Sequence, residues 1–568
     1  MTKEPKTMSE DDQKFDYIVV GGGTAGLVVA SRLTEDSNIQ VLVVEAGPDH
    51  RDNPLVLTPE FVSVAASSTR GHLWAIKAGT STHWPLTSAS LLPCTHAPPK
   101  AAEDVVGLTY HDESIDCGNG PIQVSFSEGY GVTNEAWFQS FSQLGLEVDS
   151  DSRKGTVLGA FQNAASIDPA TKTRSYAATA YYSPAVAGRP NLVVKTEPRG
   201  QDRTSWSRPN LVVKTESVVS RILFDATKKD EPHKAIGVEI IDKEGNKTQA
   251  FANLEVILAA GALQSPQILE LSGIGDKSLL ERHGIEAIVE NPNVGENMQD
   301  YAVVCQSFEV NEGVPSSDVL LREPQLFQAL LQMYQAEGAG AGLLGQSAMT
   351  VAYTPLVDNS GVVAQDRTKS LFAAHDGSLI FSAGNQAVSA LLQAGEAAFQ
   401  YILAPGQTTI PDRPTSLADQ LIPSRPENYI TAMTILNHPF SRGRVHITSP
   451  DVATLPEWDP RYNSNSLDLE LLARGAQFVE RIVDPALPFG KLLKSNGKRF
   501  PSIVPTDIDS AKKVGGVVDS ELRVYGTRGL RVVDASVFPL EPTGNIQSTV
   551  YAVAERAADL IKGDYRRV

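Results

Sequence analysis

Three glycines and one glutamate near the start of the chain have the spacing of a dinucleotide-binding site. Gly21, Gly23 and Gly26 form the pattern G-x-G-x-x-G, and Glu45 follows 19 residues after the last of them. In this pattern the first glycine permits a sharp turn, the second leaves room for a pyrophosphate, and the third lets a helix pack closely on a strand. An acid at this distance accepts hydrogen bonds from a ribose hydroxyl. These residues predict a bound dinucleotide, either NAD or FAD.

The residues around these glycines have the pattern of a strand, a helix and a second strand. Residues 17–20 are apolar and mostly β-branched, which predicts a buried strand. Residues 27–33 predict a helix, and residues 41–44 predict a second strand that ends at Glu45. The N-terminus of such a helix directs free N–H groups and its positive dipole end at a phosphate. The alternative is a glycine-rich turn that binds nothing.

The composition is that of a globular protein with an acidic surface. The chain has 568 residues, enough for two or more domains, with 41% hydrophobic and 20% charged residues. Its net charge of −18 argues against nucleic acid and anionic membrane as partners, because both require a basic surface. We interpret the acidity as a contribution to solubility.

The cysteines and the N-terminal residues indicate the compartment. Cys94, Cys117 and Cys305 are too far apart for a disulfide framework or a metal site, so we expect reduced thiols and no metal. Residues 1–15 are polar and do not resemble a secretory signal, and no apolar run reaches the roughly 18 residues of a membrane span. The sequence therefore predicts a cytoplasmic protein.

The rest of the chain alternates between strand and helix patterns, and one segment is repeated. The sequence RPNLVVKTE occurs at 189–197 and again at 208–216. Because the second copy runs directly into the strand pattern that follows it, we expect that copy to form the strand. Further helices are predicted over 263–271, 386–403, 467–482 and 548–561, and further strands over 256–260 and 529–534. This dispersal predicts an α/β domain assembled from discontinuous segments.

Several motifs resemble the glucose–methanol–choline (GMC) flavoprotein oxidoreductase family. They include the N-terminal glycine unit and the segment GALQSPQILELSGIG at 261–275, which fits the second signature of that family. The segments at 291–300 and 441–451 and the C-terminal stretch at 515–561 are also similar to family sequence.

This resemblance implies FAD rather than NAD as the cofactor, and a fold of α/β type (α+β overall). It implies a discontinuous Rossmann-like FAD-binding domain (14–70, 208–302 and 515–568) and a substrate domain of antiparallel sheet with helices (71–207 and 303–514). It also implies oxidation of the CH–OH group of a small alcohol, in which a base takes the hydroxyl proton and hydride passes to the flavin.

The resemblance also implies roles for individual residues. Gly21, Gly23, Thr24, Ala25 and Gly26 would hold the pyrophosphate, Glu45 the ribose, and Val218 the adenine side. Near the flavin and the last helix it places Asp534, Ala535, Asn545, Ile546 and Gln547, with Asn545 at the catalytic position.

Two departures from the family pattern fall on the catalytic region. The family's flavin-facing loop is missing between about Phe61 and Gly71, and the stretch before residue 515 lacks the family's catalytic histidine. Asn545 can orient a hydroxyl, but a neutral amide cannot act as a base near neutral pH. His72 and His83 are candidates for a recruited base, whereas we interpret His438 and His446 as structural.

These departures leave three interpretations open. The chain is an FAD-dependent alcohol oxidase or dehydrogenase, or a GMC-like protein whose redox chemistry has been lost or replaced by that of a lyase, a cyclase or a binding protein. In the third interpretation, misplaced intron boundaries produced both gaps and the repeat. The sequence does not indicate an oligomeric state.

Overall fold

The computed structural model describes residues 13–58, 94–95, 120–127, 129–146, 152, 157–183, 210–225, 232–336, 344, 350–357, 372, 383–408, 423–500, 518–519 and 521–565. The strands in these ranges are β1 (Gln13–Val20), β2 (Val41–Val44), β3 (Cys94–Thr95), β4 (Gln123–Val124), β5 (Gly159–Gln162), β6 (Leu211–Lys214), β7 (Ser217–Phe224), β8 (His233–Asp242), β9 (Lys247–Leu258), β10 (Ile274–Gly275), β11 (Val289–Glu290), β12 (Glu296–Met298), β13 (Val303–Glu309), β14 (Thr350–Thr354), β15 (Phe399–Ala404), β16 (Tyr429–Leu436), β17 (Gly443–His446), β18 (Glu457–Asp459), β19 (Arg499–Phe500), β20 (Thr527–Arg528) and β21 (Leu530–Val532).

The α-helices in the same ranges are α1 (Thr24–Leu33), α2 (Pro54–Leu57), α3 (Val132–Gln143), α4 (Gln264–Leu271), α5 (Lys277–Arg282), α6 (Asp318–Arg322), α7 (Pro324–Ala336), α8 (Ala383–Gln393), α9 (Ser466–Ile482) and α10 (Gln547–Tyr565). A π-helical turn covers Ala178–Tyr182, and short 3-10 helices cover Gly490–Leu492 and Ala535–Val537.

The first sheet has the Rossmann-like arrangement that the sequence predicts. Its strand order is β20-β8-β9-β1-β2-β6, with β21 beside β9 and β7 beside β8. β1 pairs in parallel with β2 and β9, and β2 pairs in parallel with β6. Helix α1 connects β1 to β2 and packs against α10, where Val28, Val29, Ala554 and Ala557 belong to one buried core. Strands covered in this way are apolar along their whole length, as residues 17–20 and 41–44 are.

The second sheet is antiparallel and carries its own aromatic core. Its strand order is β19-β13-β16-β15-β14-β5, and neighbouring strands pair antiparallel. Helix α9 packs on β16. The core beneath it includes Trp137, Phe141, Tyr401, Phe478 and Phe489, whose rings contact one another at centroid distances of 5.1–6.1 Å. This sheet with its helices matches the predicted antiparallel architecture.

A small antiparallel sheet, β12-β17-β18, is separate from these two. Its middle strand β17 contacts helix α4, which follows β9 of the first sheet. Two further strand pairs, β3 with β4 and β10 with β11, are parallel.

Most predicted elements are confirmed, and one prediction is partly wrong. The predicted helix over 386–403 ends at Gln393, and residues 399–404 form β15. Gly395 has φ of +87°, a conformation that ends helices, and β15 lies between β14 and β16. Of the repeated segment, residues 211–214 form β6 as predicted, while the copy at 189–197 lies outside the described residues.

The two main sheets use different parts of the chain. The strands of the first come from residues 13–44, 211–258 and 527–532, and those of the second from 159–162, 303–309, 350–354, 399–436 and 499–500. The domain boundaries themselves remain a prediction. None of the helices in the described ranges has both the length and the apolar character of a membrane span.

Candidate active site

Four chain segments leave the first sheet at the same edge. Val20 at the end of β1 is paired in parallel with Val44 of β2 and with Leu258 of β9, and Leu258 is paired in parallel with Val532 of β21. The residues that follow these strand ends are Gly21, Glu45, Ala259 and Val533. Ligands of open α/β sheets bind outside the carboxyl ends of the strands. This edge, which we call the carboxyl edge, is therefore the candidate binding site.

The turn after β1 requires glycine at two positions for steric reasons. Gly21 has φ of +104°, and a Cβ atom there would lie 2.3 Å from the carbonyl oxygen of Ala259. A Cβ atom on Gly26 would lie 1.9 Å from the carbonyl oxygen of Gly21. At Gly23, by contrast, a Cβ atom would meet no described atom within 4 Å. The middle glycine therefore faces open space, where the motif places a pyrophosphate.

The first turn of α1 is available to an anion. Gly23 is the N-cap residue, and within the described structure no side chain caps this helix or adds an acid to its first turn. The first bond of the helix runs from the Leu27 amide to the Gly23 carbonyl at 3.1 Å. The backbone amides of Thr24, Ala25 and Gly26 therefore fit a phosphate group. These uncapped first-turn amides, next to the open space at Gly23, are the structural feature that fits the pyrophosphate of a dinucleotide.

Glu45 is held beside the glycine turn by two backbone amides. Its Oε2 atom accepts a hydrogen bond of 2.7 Å from Gly22, and its Oε1 atom accepts one of 2.7 Å from Gly47. A carboxylate has about four acceptor positions, so both oxygens can still accept from a ribose. The Ser217 amide donates to the Glu45 carbonyl at 3.0 Å, which brings Val218 at the start of β7 close to the same point. The predicted ribose and adenine residues thus adjoin each other.

Asp534 joins the C-terminal segment to the second signature. Its Oδ2 atom accepts hydrogen bonds from the Gly261 amide at 2.9 Å and the Ser265 hydroxyl at 2.5 Å. Its Oδ1 atom accepts from the amide and the hydroxyl of Ser536, at 2.9 and 2.6 Å. Four protein donors thus occupy this buried carboxylate. A cofactor contact here would come from the backbone of Asp534 or Ala535.

Asn545 lies at the entry to the last helix. Gly544 before it has φ of +76°, and Ile546 accepts the first helical bond of α10, from the Val550 amide at 2.9 Å. Asn545, Ile546 and Gln547 are half-buried at this helix N-terminus. The positive end of the α10 dipole therefore lies next to Asn545.

His438 contacts the segment that precedes Asn545. Its side chain is buried, with Nδ1 3.1 Å from the Glu541 carbonyl oxygen and Nε2 3.0 Å from the Thr543 hydroxyl. Burial, together with the charge of Arg442, holds the pKa of His438 below its ordinary value although the bond to Glu541 opposes this. The Tyr301 hydroxyl also contacts this segment, 2.5 Å from the Gly544 carbonyl oxygen. The sequence analysis does not single out Tyr301, whose only signal is its position directly after the family-like segment at 291–300.

His446 lies elsewhere, between two carboxylates. Its Nδ1 atom is 2.7 Å from Oε1 of the fully buried Glu270 on α4, and its Nε2 atom is 3.2 Å from Glu296 on β12. Burial opposes the charged imidazolium, but the hydrogen bonds and charges of the two carboxylates outweigh burial and raise the pKa of His446. His446 therefore connects elements, as a structural residue does.

Some predicted features lie outside the described residues. They are His72, His83, the site of the missing loop between Phe61 and Gly71, and residues 501–517. Within the described ranges, no group of three or more His, Cys, Asp or Glu residues has the arrangement of a metal site.

Comparisons with known proteins agree on one class. The GMC oxidoreductase family models match residues 203–303 and 439–554, and an NAD(P)-binding Rossmann-like domain model matches residues 19–50. The chain is 31% identical to dehydrogenase mpl7 of Monascus purpureus over 97% of this chain and 96% of the relative. That alignment spans 634 positions, so the relative has segments without a counterpart among these 568 residues.

Two solved structures have a similar fold. An FAD-dependent oxidoreductase from Chaetomium thermophilum has a TM-score of 0.74 at 24% identity, covering 97% of this chain and 100% of that one. A fungal aryl-alcohol oxidase has a TM-score of 0.69 at 21% identity, covering 97% and 99%. These likenesses extend over both sheets.

Proposed function

We propose, from the premise that this chain belongs to the GMC oxidoreductase family and is an FAD-dependent oxidoreductase, that it oxidises the CH–OH group of a small alcohol. The observation that carries the proposal is the carboxyl edge, where the glycine turn, Glu45 and the segment fixed by Asp534 meet. The dehydrogenase from Monascus and the aryl-alcohol oxidase support the choice of an alcohol donor.

The residues at the carboxyl edge have distinct tasks in this proposal. The first-turn amides of α1 hold the pyrophosphate, and Glu45 accepts from the ribose. FAD, when bound, supplies the hydride acceptor. The amide of Asn545 donates to the substrate oxygen and stabilises its developing negative charge. It does not accept the hydroxyl proton, so a separate base is required, for which His72 and His83 are the sequence candidates.

The test is an anaerobic titration of the FAD-loaded protein with aliphatic, aromatic and sugar alcohols. We expect the flavin absorbance band to bleach with at least one alcohol. Removing a preorganised donor to an oxyanion costs about 100-fold in rate or more, so Asn545→Ala is expected to bleach about 100-fold more slowly.

Two outcomes of this titration contradict the proposal in different ways. A protein that is colourless after incubation with FAD and removal of the unbound FAD lacks the cofactor site. A yellow protein that dithionite bleaches but no alcohol does has the cofactor site without the proposed activity. An Asn545→Ala rate equal to that of the wild type removes Asn545 from the mechanism.

A second candidate is a GMC-like protein whose redox function has been lost or replaced. The missing loop and histidine stretch favour it, and the 634-position alignment with the Monascus relative supports the presence of gaps in this chain. We do not assign the missing base to His438, because its Nδ1 and Nε2 atoms contact the Glu541 carbonyl oxygen and the Thr543 hydroxyl, both of which are protein groups. Reduction of the flavin by any alcohol in the wild type rules this candidate out.

We also propose a cytoplasmic location, a small-molecule alcohol as the substrate, and no nucleic-acid or membrane partner. The net charge of −18 supports the absence of nucleic-acid and anionic-membrane partners.

A further inference from the structure

Three side chains from outside the C-terminal segment hold residues 539–544, which we call the pre-Asn545 segment. Gln299 and Tyr301 lie between β12 and β13, and His438 follows β16. Each of them bonds a backbone group or a hydroxyl of this segment. The contacts join residues 103 to 243 positions apart in the sequence.

Tyr301 makes the contact nearest to Asn545. Its hydroxyl donates to the Gly544 carbonyl oxygen at 2.5 Å and also contacts the Pro542 carbonyl oxygen. The Gly544 carbonyl and the Asn545 amide nitrogen belong to one peptide group, which is planar. Because the oxygen lies in this plane, a hydrogen bond that holds the oxygen restrains the orientation of the whole peptide group. It thereby restrains the direction of the N–Cα bond of Asn545. Gly544, at φ of +76°, has no Cβ that would limit its rotation otherwise.

His438 holds the same segment at two points with a defined tautomer. A carbonyl oxygen only accepts, so Nδ1 carries the proton that is donated to Glu541 at 3.1 Å. Nε2 then accepts from the Thr543 hydroxyl at 3.0 Å. Gln299 adds longer contacts, accepting from the Glu541 amide at 3.3 Å and donating to Pro539 at 3.4 Å.

We propose that Tyr301 and His438 are positioning residues that fix the peptide before Asn545 and thereby aim its amide at the substrate hydroxyl. This inference rests on the proposed alcohol oxidation for its catalytic part. Its structural part, the restraint of the pre-Asn545 segment, stands on the contacts alone. The two parts have separate measurements.

The structural part is tested by hydrogen exchange of the protein without added FAD. Loss of one hydrogen bond corresponds to about a tenfold change in a local opening equilibrium. Tyr301→Phe is therefore expected to raise exchange about tenfold in peptides covering 541–550. Tyr401→Phe is the matched control, because its buried hydroxyl also donates to a carbonyl, that of Gly475 at 3.3 Å, in the second sheet. It is expected to leave exchange in 541–550 unchanged.

If Tyr301→Phe does not fold, two variants of His438 test the structural part by the same hydrogen-exchange measurement. His438→Leu is expected to raise exchange over the same peptides, and His438→Asn to restore part of the protection, because its amide can donate to Glu541 in place of Nδ1. Unchanged exchange in Tyr301→Phe, or in His438→Leu if the tyrosine variant does not fold, overturns the inference.

The catalytic part is tested by the rate of flavin reduction by the alcohol found in the titration above. Tyr301→Phe is expected to lower kcat about tenfold with KM within about twofold, and to have no further effect in an Asn545→Ala background. Fully additive effects overturn the positioning role. If none of the alcohols reduces the flavin of the wild type, the proposed function fails. If hydrogen exchange nevertheless rises in Tyr301→Phe, the restraint of the pre-Asn545 segment stands.

Discussion

At the scale of single residues, two glycines of the same turn have opposite surroundings. A Cβ atom on Gly26 would overlap a backbone oxygen at 1.9 Å, which no side-chain movement relieves, whereas a Cβ atom on Gly23 would meet no described atom within 4 Å. Gly26 is therefore required by the fold, and we propose that Gly23 is required by the pyrophosphate that binds next to it. Substitution by alanine separates these two reasons.

We expect Gly26→Ala to lower the free energy of unfolding by about 1–3 kcal/mol because the helix must move away from the strand. Gly23→Ala is its matched control and is expected to change that free energy by less than about 0.5 kcal/mol. The same control is expected to weaken FAD binding about tenfold or more, since its methyl group occupies the space next to the phosphates. Urea denaturation and a fluorescence titration with FAD measure the two effects. Unaltered FAD affinity in Gly23→Ala contradicts the assignment of the pyrophosphate.

Single residues also set the limit of sequence reasoning at this site. Gly26 and Glu45 were predictable because their contacts, with Gly21 and with the amides of Gly22 and Gly47, lie within one strand–helix–strand unit. Tyr301 and His438 were not, because each acts on a segment more than 100 positions away. No local pattern distinguishes such a residue from an ordinary aromatic side chain. Their roles follow only from the packing of distant segments.

At the scale of elements, His446 connects helix α4 of the second signature to strands β12 and β17. The charged groups facing it are Glu270, Glu296 and, across a surface cleft, Arg282, Arg444 and Glu457. His283 also lines this cleft. Because the folded pKa of His446 is raised, the folded state binds a proton more tightly than the unfolded chain does. The stabilisation is complete below the unfolded pKa of about 6.5 and is lost as the pH rises through the folded pKa.

We therefore expect His446→Gln to cost about 1 kcal/mol of unfolding free energy at pH 6 and clearly less at pH 9. Urea denaturation at the two pH values measures the difference. Arg444→Gln, at an exposed position of the same strand, is the control. It is expected to change the unfolding free energy by the same amount at pH 6 and at pH 9. A cost of His446→Gln that grows with pH contradicts the charge assignment.

The elements also show where pattern and packing disagree. Residues 386–403 have apolar residues at helical spacing, yet the helix stops at Gln393 and residues 399–404 extend as β15. A short apolar run fits either element, and its place between β14 and β16 decides for the strand. Residues 466–482 carry the same kind of pattern without a break, and there the helix was predictable.

At the scale of the whole molecule, the framework of an FAD-dependent oxidoreductase is present, while the sequence predicts that two family segments near the reaction centre are missing. We expect that inserting the family loop between Phe61 and Gly71, together with a histidine-containing stretch before residue 515, raises the rate of flavin reduction by alcohol at least tenfold. Stopped-flow absorbance measures this rate. A control insertion of equal length, made of glycine and serine, is expected to leave it unchanged. An equal gain from the control contradicts the assignment of chemistry to those segments.

The first sheet has a consequence for how the protein is made. β21, at residues 530–532, pairs with β9, which ends at residue 258. At about 5–20 residues per second, a ribosome finishes the later strand tens of seconds after the earlier one. During that interval the nascent chain exposes one side of β9 without its neighbour, and Gly261 and Ser265 lack their partner Asp534. Chaperone binding to arrested nascent chains should therefore persist until the segment around residue 534 has left the exit tunnel.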